Sequence, residues 1–527
     1  MLTSRPPIAY NQIVSGEDNG QEKGALKWVG FILGVALFLF FLNFPIGLEP
    51  KAARVAAVSS LMACWWITVC VPIAVTSLVP IVLFPALTIM PSKDAVKFYA
   101  DDNIYLFLGG FLLALALEKW DLHRRIGLTL VNFVGTSPRR LVLGFLSATA
   151  LISMLISNTA TAMMMLPIAL AIVRETSELA GQKDDNFAAA LMLAVAYGAS
   201  IGGIATPIGT PPNIVMLGQF KESFPNAPAI TFFTWSKVFV PLVFIFIPIA
   251  WLVLVKVVAP PRLEVSAGRE VIRAELRKLG RLRGAEAWVF VIFIVTILLW
   301  VFRQPMDLQV IRLPGWSTIF GNPEYISDAT VAIAMAVVLF LIPAGRQDST
   351  LTSGKSGAFL MDWKTATRVP WGILLLFGGG FAIAGGFRQT GLDVALGNAI
   401  RPYLNIAPIF VVALVSLLVT YMTEITSNTA TAAALIPIMI GTAGALGLNP
   451  LLLMVPTTIS ASFGFMLPVG TPPNAIVFSS GYVPMSKMIK AGLILDLVGA
   501  VLTTLWIYFV VMPAWGYSTA VPGWAGR

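Results

Sequence analysis

The chain has 527 residues, of which 57% are hydrophobic and 12% are charged, and its formal net charge is +9. Together with a mean hydropathy of +0.83, these proportions exclude a soluble globular protein and predict a polytopic membrane protein. The positive charge does not predict a nucleic-acid partner, because the basic residues cluster in loops, where they set the orientation of a membrane protein. The single His123 and the two cysteines, Cys64 and Cys70, supply neither a metal site nor a disulfide framework.

Eleven apolar stretches are long enough to cross a bilayer, given that a membrane-spanning helix needs about 20 residues. They cover residues 25–44, 53–72, 74–90, 103–118, 187–218, 232–258, 287–302, 328–343, 367–387, 449–481 and 488–513. The first stretch follows a polar leader, residues 1–24, and no small-residue cleavage site lies behind it. We therefore interpret it as a first span and not as a removed signal peptide.

Two further apolar segments, residues 139–174 and 406–442, are too long for one membrane helix and too short for two. Each contains Ser-Asn-Thr near its middle, and the apolar arm on either side of this motif is too short to span the membrane. A re-entrant helical hairpin, which enters and leaves the membrane on the same side, fits this pattern. Non-helical backbone at that depth is tolerated only within protein or beside a water-filled cavity. We therefore expect each hairpin tip to line a cavity.

Three motifs occur twice, in the same order in each half of the chain. The pairs are FLGGF from Phe107 and FGGGF from Phe377, SNTATA from Ser157 and from Ser427, and GTPPN from Gly209 and from Gly470. The last pair interrupts the apolar stretches 187–218 and 449–481, which we therefore expect to be broken helices. Duplicated halves with matching breaks are the best sequence indication of a transporter's binding site.

Loop charge predicts the orientation of the two halves. The loop 259–286 is rich in arginine, which places it in the cytoplasm, and the six spans before it then place the N-terminus there as well. The span that contains Phe377 is the fifth after the span that contains Phe107, an odd step, so repeat 1 (49–258) and repeat 2 (287–515) must cross the membrane in opposite directions. This predicts an inverted-topology repeat, with residues 25–48 as a first span outside it and an extracytoplasmic C-terminus.

The repeated motifs carry the chemistry of ion binding. Ser, Asn and Thr are favoured N-cap residues and Pro is favoured at the first helical position, so each SNT and each GTPP predicts a helix that begins inside the membrane. Four such N-termini would offer N–H groups and positive dipole ends to a carboxylate or another oxyanion. Freed carbonyls, with Ser, Thr and Asn oxygens, would supply the neutral ligands of a sodium ion, in one cage per half.

The same residues allow other interpretations. Ser and Thr often bond back to their own helix, so a duplicated scaffold without a working site stays open. Glu424 is an ionisable group within the membrane, and such groups are functional by default, but one near a hairpin mouth can instead only bond to backbone. Asp496, inside the last span, is assigned to packing or to a hydrogen bond.

Fixed positive charge is missing from the segments that carry the motifs. No Lys, Arg or His occurs in residues 141–173, 187–218 or 406–482. A dianion at mid-membrane needs positive compensation, and helix N-termini supply only partial charge. The pattern therefore predicts cations that bind together with the anion, and it disfavours an exchanger that works without them.

At these residues the sequence resembles the divalent anion/sodium symporter family, which includes transporters of succinate, malate, citrate and sulfate. The resemblance covers roughly residues 25–515 and rests on the two SNT tips, the two GTPPN breaks and the TEITSNT run that begins at Thr423. It implies an all-α homodimer that works as an elevator. In each protomer the scaffold domain would comprise residues 25–135 and 287–400, and the moving transport domain residues 139–258 and 401–515.

The resemblance also implies binding roles residue by residue. One sodium ion would lie between the first hairpin tip and the first broken span, and a second at the matching place in the other half. The residues that match the family's sodium ligands are Ser153, Ser157, Asn158 and Gly209 for the first ion, and Thr423, Thr426, Asn428 and Gly470 for the second. Those that match its substrate ligands are Asn158, Thr159, Thr210 and Pro211, and Asn428, Thr429, Thr471 and Pro472.

The sequence thus predicts a sodium-coupled symporter of C4-dicarboxylates such as succinate, malate and fumarate, in a cell membrane. Two symmetry-related carboxylate sites favour a linear dicarboxylate, with sulfate and tricarboxylates as alternatives. A sodium-independent exchanger of dicarboxylates or citrate with the same fold is the nearest rival, and an anion channel is an alternative from another class. A membrane enzyme is the weakest hypothesis, because the tip serines have no base nearby in the sequence.

Overall fold

The computed structural model describes residues 22–135, 137–262, 269–307, 312–345, 359–403 and 406–525. Most of the polar leader, predicted as a cytoplasmic N-terminus, lies outside the described residues. Within them the chain is predominantly helical, which confirms the predicted fold class. The one pair of strands that the described residues contain, β1 (Met306–Asp307) and β2 (Arg312–Leu313), is antiparallel and two residues long.

Twelve α-helices precede the basic loop in the described residues. They are α1 (Glu22–Asn43), α2 (Pro50–Thr68), α3 (Ile73–Thr76), α4 (Val79–Ala86), α5 (Ser92–Lys97), α6 (Asp102–Lys119), α7 (Leu122–Val134), α8 (Pro138–Ser153), α9 (Asn158–Ala180), α10 (Asp185–Gly203), α11 (Pro211–Ser223) and α12 (Phe232–Leu252). The last of these continues as a π-helix over Val253–Val258.

Twelve more α-helices follow in the described residues. They are α13 (Arg269–Leu279), α14 (Gly284–Val301), α15 (Asp328–Leu341), α16 (Trp363–Ala366), α17 (Trp371–Thr390), α18 (Leu392–Ile400), α19 (Pro408–Thr423), α20 (Asn428–Ala445), α21 (Leu451–Ser460), α22 (Pro472–Ser479), α23 (Met485–Trp506) and α24 (Met512–Ala514). A π-helix over Ile507–Val511 connects the last two.

The helix breaks lie at the repeated motifs. Each predicted hairpin consists of two helices joined by four residues, and we name them hairpin 1 (α8 and α9) and hairpin 2 (α19 and α20). Each GTPPN motif likewise lies at the end of a break, with its first proline at the start of a helix, so broken helix 1 comprises α10 and α11 and broken helix 2 comprises α21 and α22. The breaks leave a first unwound segment, residues 204–210, and a second unwound segment, residues 461–471.

Eight helices of the described residues are long and apolar enough to cross a membrane, or nine if one bent pair counts as a single span. Six of the eight coincide with predicted spans, and the other two are the second arms of the hairpins. Several other predicted spans are formed by shorter helices, such as α15, or by two short helices in succession, such as α3 and α4. The number of eleven spans therefore stays a prediction.

The second arm of hairpin 1 is longer than its apolar pattern indicated. The sequence placed its end near Val173, whereas α9 continues to Ala180 and ends at Gly181, which has a positive φ of 66°. The more polar residues that follow Val173 remain helical, because Arg, Glu, Leu and Ala among them are good helix formers. Twenty-three residues make a helix about 35 Å long. The expectation that both arms of this hairpin are too short to span is therefore wrong for α9.

Two helices that the apolar pattern missed occupy matching positions in the two halves. α7 directly precedes hairpin 1 and α18 directly precedes hairpin 2. Polar residues interrupt the apolar run of each helix, so neither resembles a span in the sequence. In α7 the buried Leu128 and Val131 share the helix with Arg125, which pairs with Glu286. The duplication therefore extends beyond the recurring motifs.

The two Phe-Gly-Gly motifs meet each other across the repeat. The ring of Phe107 in α6 contacts the ring of Phe377 in α17 edge-on, with centroids 5.1 Å apart, and both side chains are buried. A Cβ at Gly109 would lie 2.6 Å from the backbone of Ala332 in α15. This pair of motifs therefore marks close helix packing, in contrast to the two polar pairs.

Broken helix 1 packs closely on the first arm of hairpin 1 through two glycines. A Cβ at Gly198 would lie 2.6 Å from the carbonyl oxygen of Leu146, and one at Gly202 would overlap the carbonyl group of Ala150. Backbone atoms cannot move aside as the end of a flexible side chain can. The glycines therefore allow the hairpin to lie directly beside the first unwound segment.

We expect Gly202→Ala to lower the apparent melting temperature of the purified protein, because overpacking of this kind costs about 1–3 kcal/mol. Gly444→Ala is the matched control, since Gly444 is also helical and no atom of the described residues lies within 4 Å of its Cβ position. Alanine should be neutral there, or stabilising by about 1 kcal/mol. Equal melting temperatures for the two variants would contradict the close packing of α10 on α8.

Candidate functional site

The two hairpin tips share one local structure. In each tip the helix resumes at the asparagine of the SNT motif, Asn158 or Asn428, with the preceding serine at the N-cap. The hydroxyl of Ser157 accepts a hydrogen bond from the N–H of Ala160 at 3.3 Å, as an N-cap serine does. Ser427 makes no such bond. Each tip therefore presents the N-terminus of a helix.

Each tip asparagine is bonded to a hydroxyl group from the first arm of its own hairpin. Ser153 Oγ donates to Oδ1 of Asn158 at 2.7 Å, and Thr423 Oγ1 donates to Oδ1 of Asn428 at the same distance. A Cβ at Gly203 would lie 2.6 Å from Oδ1 of Asn158, so this amide also lies against broken helix 1. Two pairs of predicted sodium ligands are thus in direct contact, one pair in each half.

The second parts of both broken helices begin as the sequence predicted. α11 starts at Pro211 and α22 at Pro472, with Thr210 and Thr471 as N-caps in extended conformation. The hydroxyl of Thr471 accepts a hydrogen bond from the N–H of Asn474 at 3.4 Å. The two GTPPN motifs therefore add two further helix N-termini to those of the hairpin tips.

The asparagine of each GTPPN motif bonds to backbone carbonyls at the helix break before it. The Nδ2 group of Asn213 donates to the carbonyls of Gly203 and Thr206 at 3.2 and 2.8 Å, and that of Asn474 donates to those of Gly464 and Leu467 at 2.9 and 3.0 Å. These bonds satisfy carbonyls that the helix break leaves without an intrahelical partner. Our sequence interpretation did not single out these two asparagines, although their presence in both copies of the motif was a signal.

The glycine that opens each GTPPN motif lies against the hairpin tip of its own half. A Cβ at Gly209 would be 3.0 Å from the carbonyl oxygen of Met154, and one at Gly470 would be 2.9 Å from Oε2 of Glu424. Met154 and Glu424 occupy corresponding positions, each four residues before a tip asparagine. Both glycines are therefore close to the breaks that carry the other predicted sodium ligands.

The helices that begin at these four N-termini pack against helices of the opposite half. α9 of hairpin 1 contacts α22 of broken helix 2, and α11 of broken helix 1 contacts α20 of hairpin 2. The side chain of Gln219 in α11 donates to the carbonyl oxygen of Ala433 in α20 at 3.1 Å. The helices whose N-termini were predicted to face the substrate thus belong to one packed group.

The remaining predicted ligands differ in accessibility and in hydrogen bonding. Thr210 and Thr471 are buried, Ser157, Asn158, Thr159, Pro211, Asn428 and Thr429 are half-buried, and Pro472 is exposed. The hydroxyl of Thr426 donates to the carbonyl of Met422 at 2.8 Å and shares a hydrogen bond with Thr431. Both of these hydrogen bonds of the Thr426 hydroxyl lie within hairpin 2.

Glu424, whose role the sequence left open, bonds to backbone. Its Oε1 accepts from the N–H of Met466 at 2.7 Å and its Oε2 from the N–H of Leu467 at 2.9 Å. Both N–H groups belong to the second unwound segment, so the carboxylate connects hairpin 2 to broken helix 2. In the first half the corresponding hydrogen bond is donated by the hydroxyl of Thr206 to the carbonyl oxygen of Met154.

The two unwound segments differ in their surroundings. Ile208, which precedes Gly209, is 7% exposed, whereas its counterpart Val469 is 76% exposed. A Cβ at Gly110 in α6 would lie 3.2 Å from the side chain of Ile208. The first segment is therefore covered by α6 at Ile208, whereas the second is exposed at the corresponding Val469.

Within the described residues, no three His, Cys, Asp or Glu side chains group so that they could hold a metal ion. Apart from the carboxylate of Glu424, the groups that the tips offer to a cation are hydroxyl, amide and carbonyl oxygens. Oxygen ligands of this kind suit hard cations and not the transition metals that imidazole and thiolate select.

Comparison with known proteins places the whole chain among transporters. The family model described as "Sodium:sulfate symporter transmembrane region" matches residues 25–517. The sodium-dependent dicarboxylate transporter SdcS of Staphylococcus saprophyticus is 37% identical over 521 residues, which cover 97% of each chain. The SdcS of Staphylococcus aureus strain NCTC 8325 is 39% identical over 491 residues, which cover 92% of this chain and 91% of the relative.

Two solved structures resemble the fold. The YdaH transporter of Alcanivorax borkumensis has a TM-score of 0.56 at 18% identity and covers 79% of this chain and 87% of its own. MtrF of Neisseria gonorrhoeae, described with a class of antimetabolite efflux pumps, has a TM-score of 0.56 at 12% identity, with coverage of 95% and 97%. At these identities the likeness shows the fold alone. With the apolar helices, the matches show a multi-pass membrane protein of a transporter fold.

Proposed function

The chain belongs to the family of the sodium:sulfate symporter transmembrane region, and from this membership we propose that it carries C4-dicarboxylates, such as succinate, malate and fumarate, together with sodium ions. The observation that carries the proposal is the repeated tip. In each half an asparagine at a helix N-terminus, Asn158 or Asn428, bonds to a hydroxyl of the other arm. The two SdcS relatives, which are named sodium-dependent dicarboxylate transporters, support the same substrate class.

The substrate binds between the two tips, with one carboxylate in each half. Each carboxylate accepts hydrogen bonds from N–H groups and polar side chains at two helix N-termini, where the aligned peptide dipoles favour an anion. The residues that contact the substrate are Asn158, Thr159, Thr210 and Pro211 in the first half, and Asn428, Thr429, Thr471 and Pro472 in the second. The two prolines, which have no N–H, contact it without donating a hydrogen bond. The two sets lie on helices that pack against each other, one set in each half of the chain. They therefore suit a linear dianion with a charge at each end.

Sodium ions occupy two cages beside the substrate. The first cage is formed by Ser153, Ser157, Asn158 and Gly209, and the second by Thr423, Thr426, Asn428 and Gly470. The contacts between Ser153 and Asn158, and between Thr423 and Asn428, support each cage. In each contact a hydroxyl oxygen and an amide oxygen, both suitable ligands for sodium, lie within hydrogen-bonding distance of each other. The bound cations compensate the dianion, since no basic residue lies in the segments that carry the motifs.

Transport follows an elevator movement within a homodimer. The transport domain, residues 139–258 and 401–515, carries both tips past the scaffold domain, residues 25–135 and 287–400. The difference between the two unwound segments supports this movement, because Ile208 is covered by the scaffold helix α6 while Val469 is exposed. An inverted repeat can adopt a second arrangement in which these two environments are exchanged.

Uptake of labelled succinate into proteoliposomes, with an inward sodium gradient or an equal potassium gradient, tests this function. We expect concentrative uptake only with sodium, and its loss when a sodium ionophore dissipates the gradient. Uptake that needs internal dicarboxylate but no sodium would establish the exchanger instead. Uptake that only equilibrates, and does so without saturation, would establish a channel.

Competition identifies the substrate class. Unlabelled malate and fumarate should inhibit succinate uptake strongly, because each places two carboxylates at a similar separation. Sulfate, which is named in the description of the family, and citrate are the alternatives. Strong inhibition by either of these with none by fumarate would contradict the assignment to C4-dicarboxylates.

Thr159→Ala and Thr429→Ala should each raise the succinate concentration for half-maximal uptake by about tenfold or more, the loss of one hydrogen bond to a charged group. The sodium requirement should change less, since neither threonine belongs to a sodium cage. Thr442→Ala is the matched control, because this buried hydroxyl in α20 bonds to the carbonyl of Ile438 in its own helix. A larger change in sodium requirement than in succinate requirement would contradict the substrate role.

A further inference from the structure

α13, in the arginine-rich segment between α12 and α14, is an amphipathic helix that packs on α7. Ile272 is fully buried. Leu276 and Leu279 follow it at helical spacing on the same face and are half-buried against the apolar core. The same helix also contacts α9, the second arm of hairpin 1. One face of α13 is therefore occupied by the protein, and the opposite face is open.

Acidic side chains of this segment are turned toward α7. Glu275 of α13 pairs with Arg124, and Glu286 at the start of α14 pairs with Arg125 at 2.6 Å. Arg125 also donates a hydrogen bond to the carbonyl oxygen of Leu279, the last residue of α13, at 3.0 Å. These contacts fix α13 against α7. They also engage two acidic groups that could otherwise neutralise the basic residues nearby.

The open face carries positive charge that the described residues do not neutralise. Lys278 is exposed but pairs with Glu275 at 2.6 Å. Four other exposed basic side chains form no ion pair with a described residue, and we name them the basic surface: Arg273, Arg277, Arg281 and Arg283. Glu270, the one exposed acidic residue in 270–283, can offset only one of these four charges. The basic surface therefore lacks an anionic partner within the described part of the chain.

The basic surface adjoins the start of a membrane helix. α14 begins at Gly284, directly after Arg283, and is one of the helices long and apolar enough to cross a membrane. Leu282 and Trp288, on either side of this start, are 41% and 51% exposed. Tryptophan is enriched where the hydrocarbon of a membrane meets the lipid headgroups. The start of α14 therefore places the basic surface beside the headgroups.

We propose that the basic surface binds the headgroups of anionic phospholipids in the leaflet that α14 enters. The planar guanidinium group of arginine matches a phosphate, because it can donate two parallel hydrogen bonds. Clusters of about four to eight basic residues on an amphipathic helix or beside a membrane helix attract anionic lipids. The exposed Leu282 and Trp288 suit the acyl chains of the same lipid, so the surface fits a lipid better than a free anion.

The ion pairs with α7 extend the effect of a bound lipid. Because Arg124 and Arg125 connect α7 to the segment that carries the basic surface, lipid bound there holds both helices at the level of the headgroups. Local opening of α13 would then require the release of lipid as well as the loss of its packing on α7. Amide hydrogen exchange reports such local opening, so it can detect the bound lipid at this helix.

Amide hydrogen exchange of the whole protein in lipid nanodiscs tests the proposal. Discs of phosphatidylcholine are compared with discs in which about a third of the lipid is phosphatidylglycerol. We expect exchange in residues 270–283 to be about tenfold slower in the anionic discs at low salt, because four arginines attract the anionic surface together. High salt should remove most of the difference, since exposed charges are screened.

One variant combines four substitutions, Arg273→Gln, Arg277→Gln, Arg281→Gln and Arg283→Gln. Glutamine is a good helix former, and the difference between the two kinds of disc should fall below about twofold. The matched control replaces by glutamine four exposed basic residues that are dispersed over the chain and pair with no described residue, Lys51, Lys93, Lys364 and Arg401. It removes the same charge and should keep the wild-type difference.

Equal exchange in the two kinds of disc, or an effect of phosphatidylglycerol that persists in the four-arginine variant, would overturn the proposal. An equal loss in the control would also overturn it, because the effect would then follow net charge and not α13. Full protection by inorganic phosphate in phosphatidylcholine discs would assign the surface to a soluble anion instead of a lipid.

If the four-arginine variant does not fold, the double variant Arg281→Gln and Arg283→Gln replaces it, since both residues lie outside α13. It should reduce the difference between the discs by about twofold or more, and an unchanged difference would overturn the proposal. None of these measurements requires sodium or succinate. Their outcome is therefore independent of the proposed transport function.

Discussion

Asn158→Ala should remove nearly all sodium-driven succinate uptake while the protein still folds and inserts. The side chain of Asn158 lies at the N-terminus of α9, accepts a hydrogen bond from Ser153 and lies against Gly203. In the proposed site it contacts both the cation and the anion, so its removal weakens two ligands at once. We expect a loss of about a hundredfold in uptake rate at subsaturating substrate, which corresponds to about 2.7 kcal/mol.

Asn428→Ala should have a similar effect, because Thr423 and Asn428 repeat the same contact in the other half. Asn398→Ala is the matched control, since Asn398 is exposed on α18, away from both tips, and it should transport at the wild-type rate. Uptake is measured in proteoliposomes that contain equal amounts of monodisperse protein. A tip variant that retained the wild-type rate and sodium dependence would show that its half of the repeat is structural only.

The parts of the site that sequence predicted best are those that depend on local chemistry. Ser157 caps α9, and Pro211 and Pro472 begin α11 and α22, because N-cap and first-turn preferences act within a few residues. The duplicated motifs also predicted that these N-termini belong together. α9 packs on α22 and α11 packs on α20, so helices that begin at the motifs of one half contact those of the other. That the four N-termini face one substrate stays a prediction.

Features that depend on tertiary contacts could not be predicted in the same way. Glu424 and Asp496 are 72 positions apart in sequence, and no spacing rule indicates that both bond to the second unwound segment. The helices α7 and α18 have a narrow apolar face, and polar residues occupy the rest of each helix. A search for continuous apolar stretches therefore misses them. Ile208 and Val469 occupy equivalent motif positions but differ in exposure, because their environment comes from other helices.

Succinate should bind poorly to the protein in sodium-free buffer, and saturating sodium should tighten its binding by about tenfold or more, within the usual range of coupling energies. The reason is electrostatic. A dianion between the tips finds only partial positive charge at the helix N-termini, since residues 141–173, 187–218 and 406–482 contain no basic side chain. Cations in the two cages would supply the missing charge at short range.

Titration calorimetry of succinate into the purified protein, in sodium buffer and in a potassium buffer of equal ionic strength, measures this coupling directly. Linkage requires that succinate tighten sodium binding by the same factor, so the reverse titration is an internal check on the same free energy. The Asn398→Ala control should reproduce both wild-type factors, whereas Asn158→Ala should reduce both together. Equal succinate affinity in the two buffers would contradict sodium-coupled symport and favour the exchanger, because a carrier that does not need sodium to neutralise its substrate gains nothing from binding it.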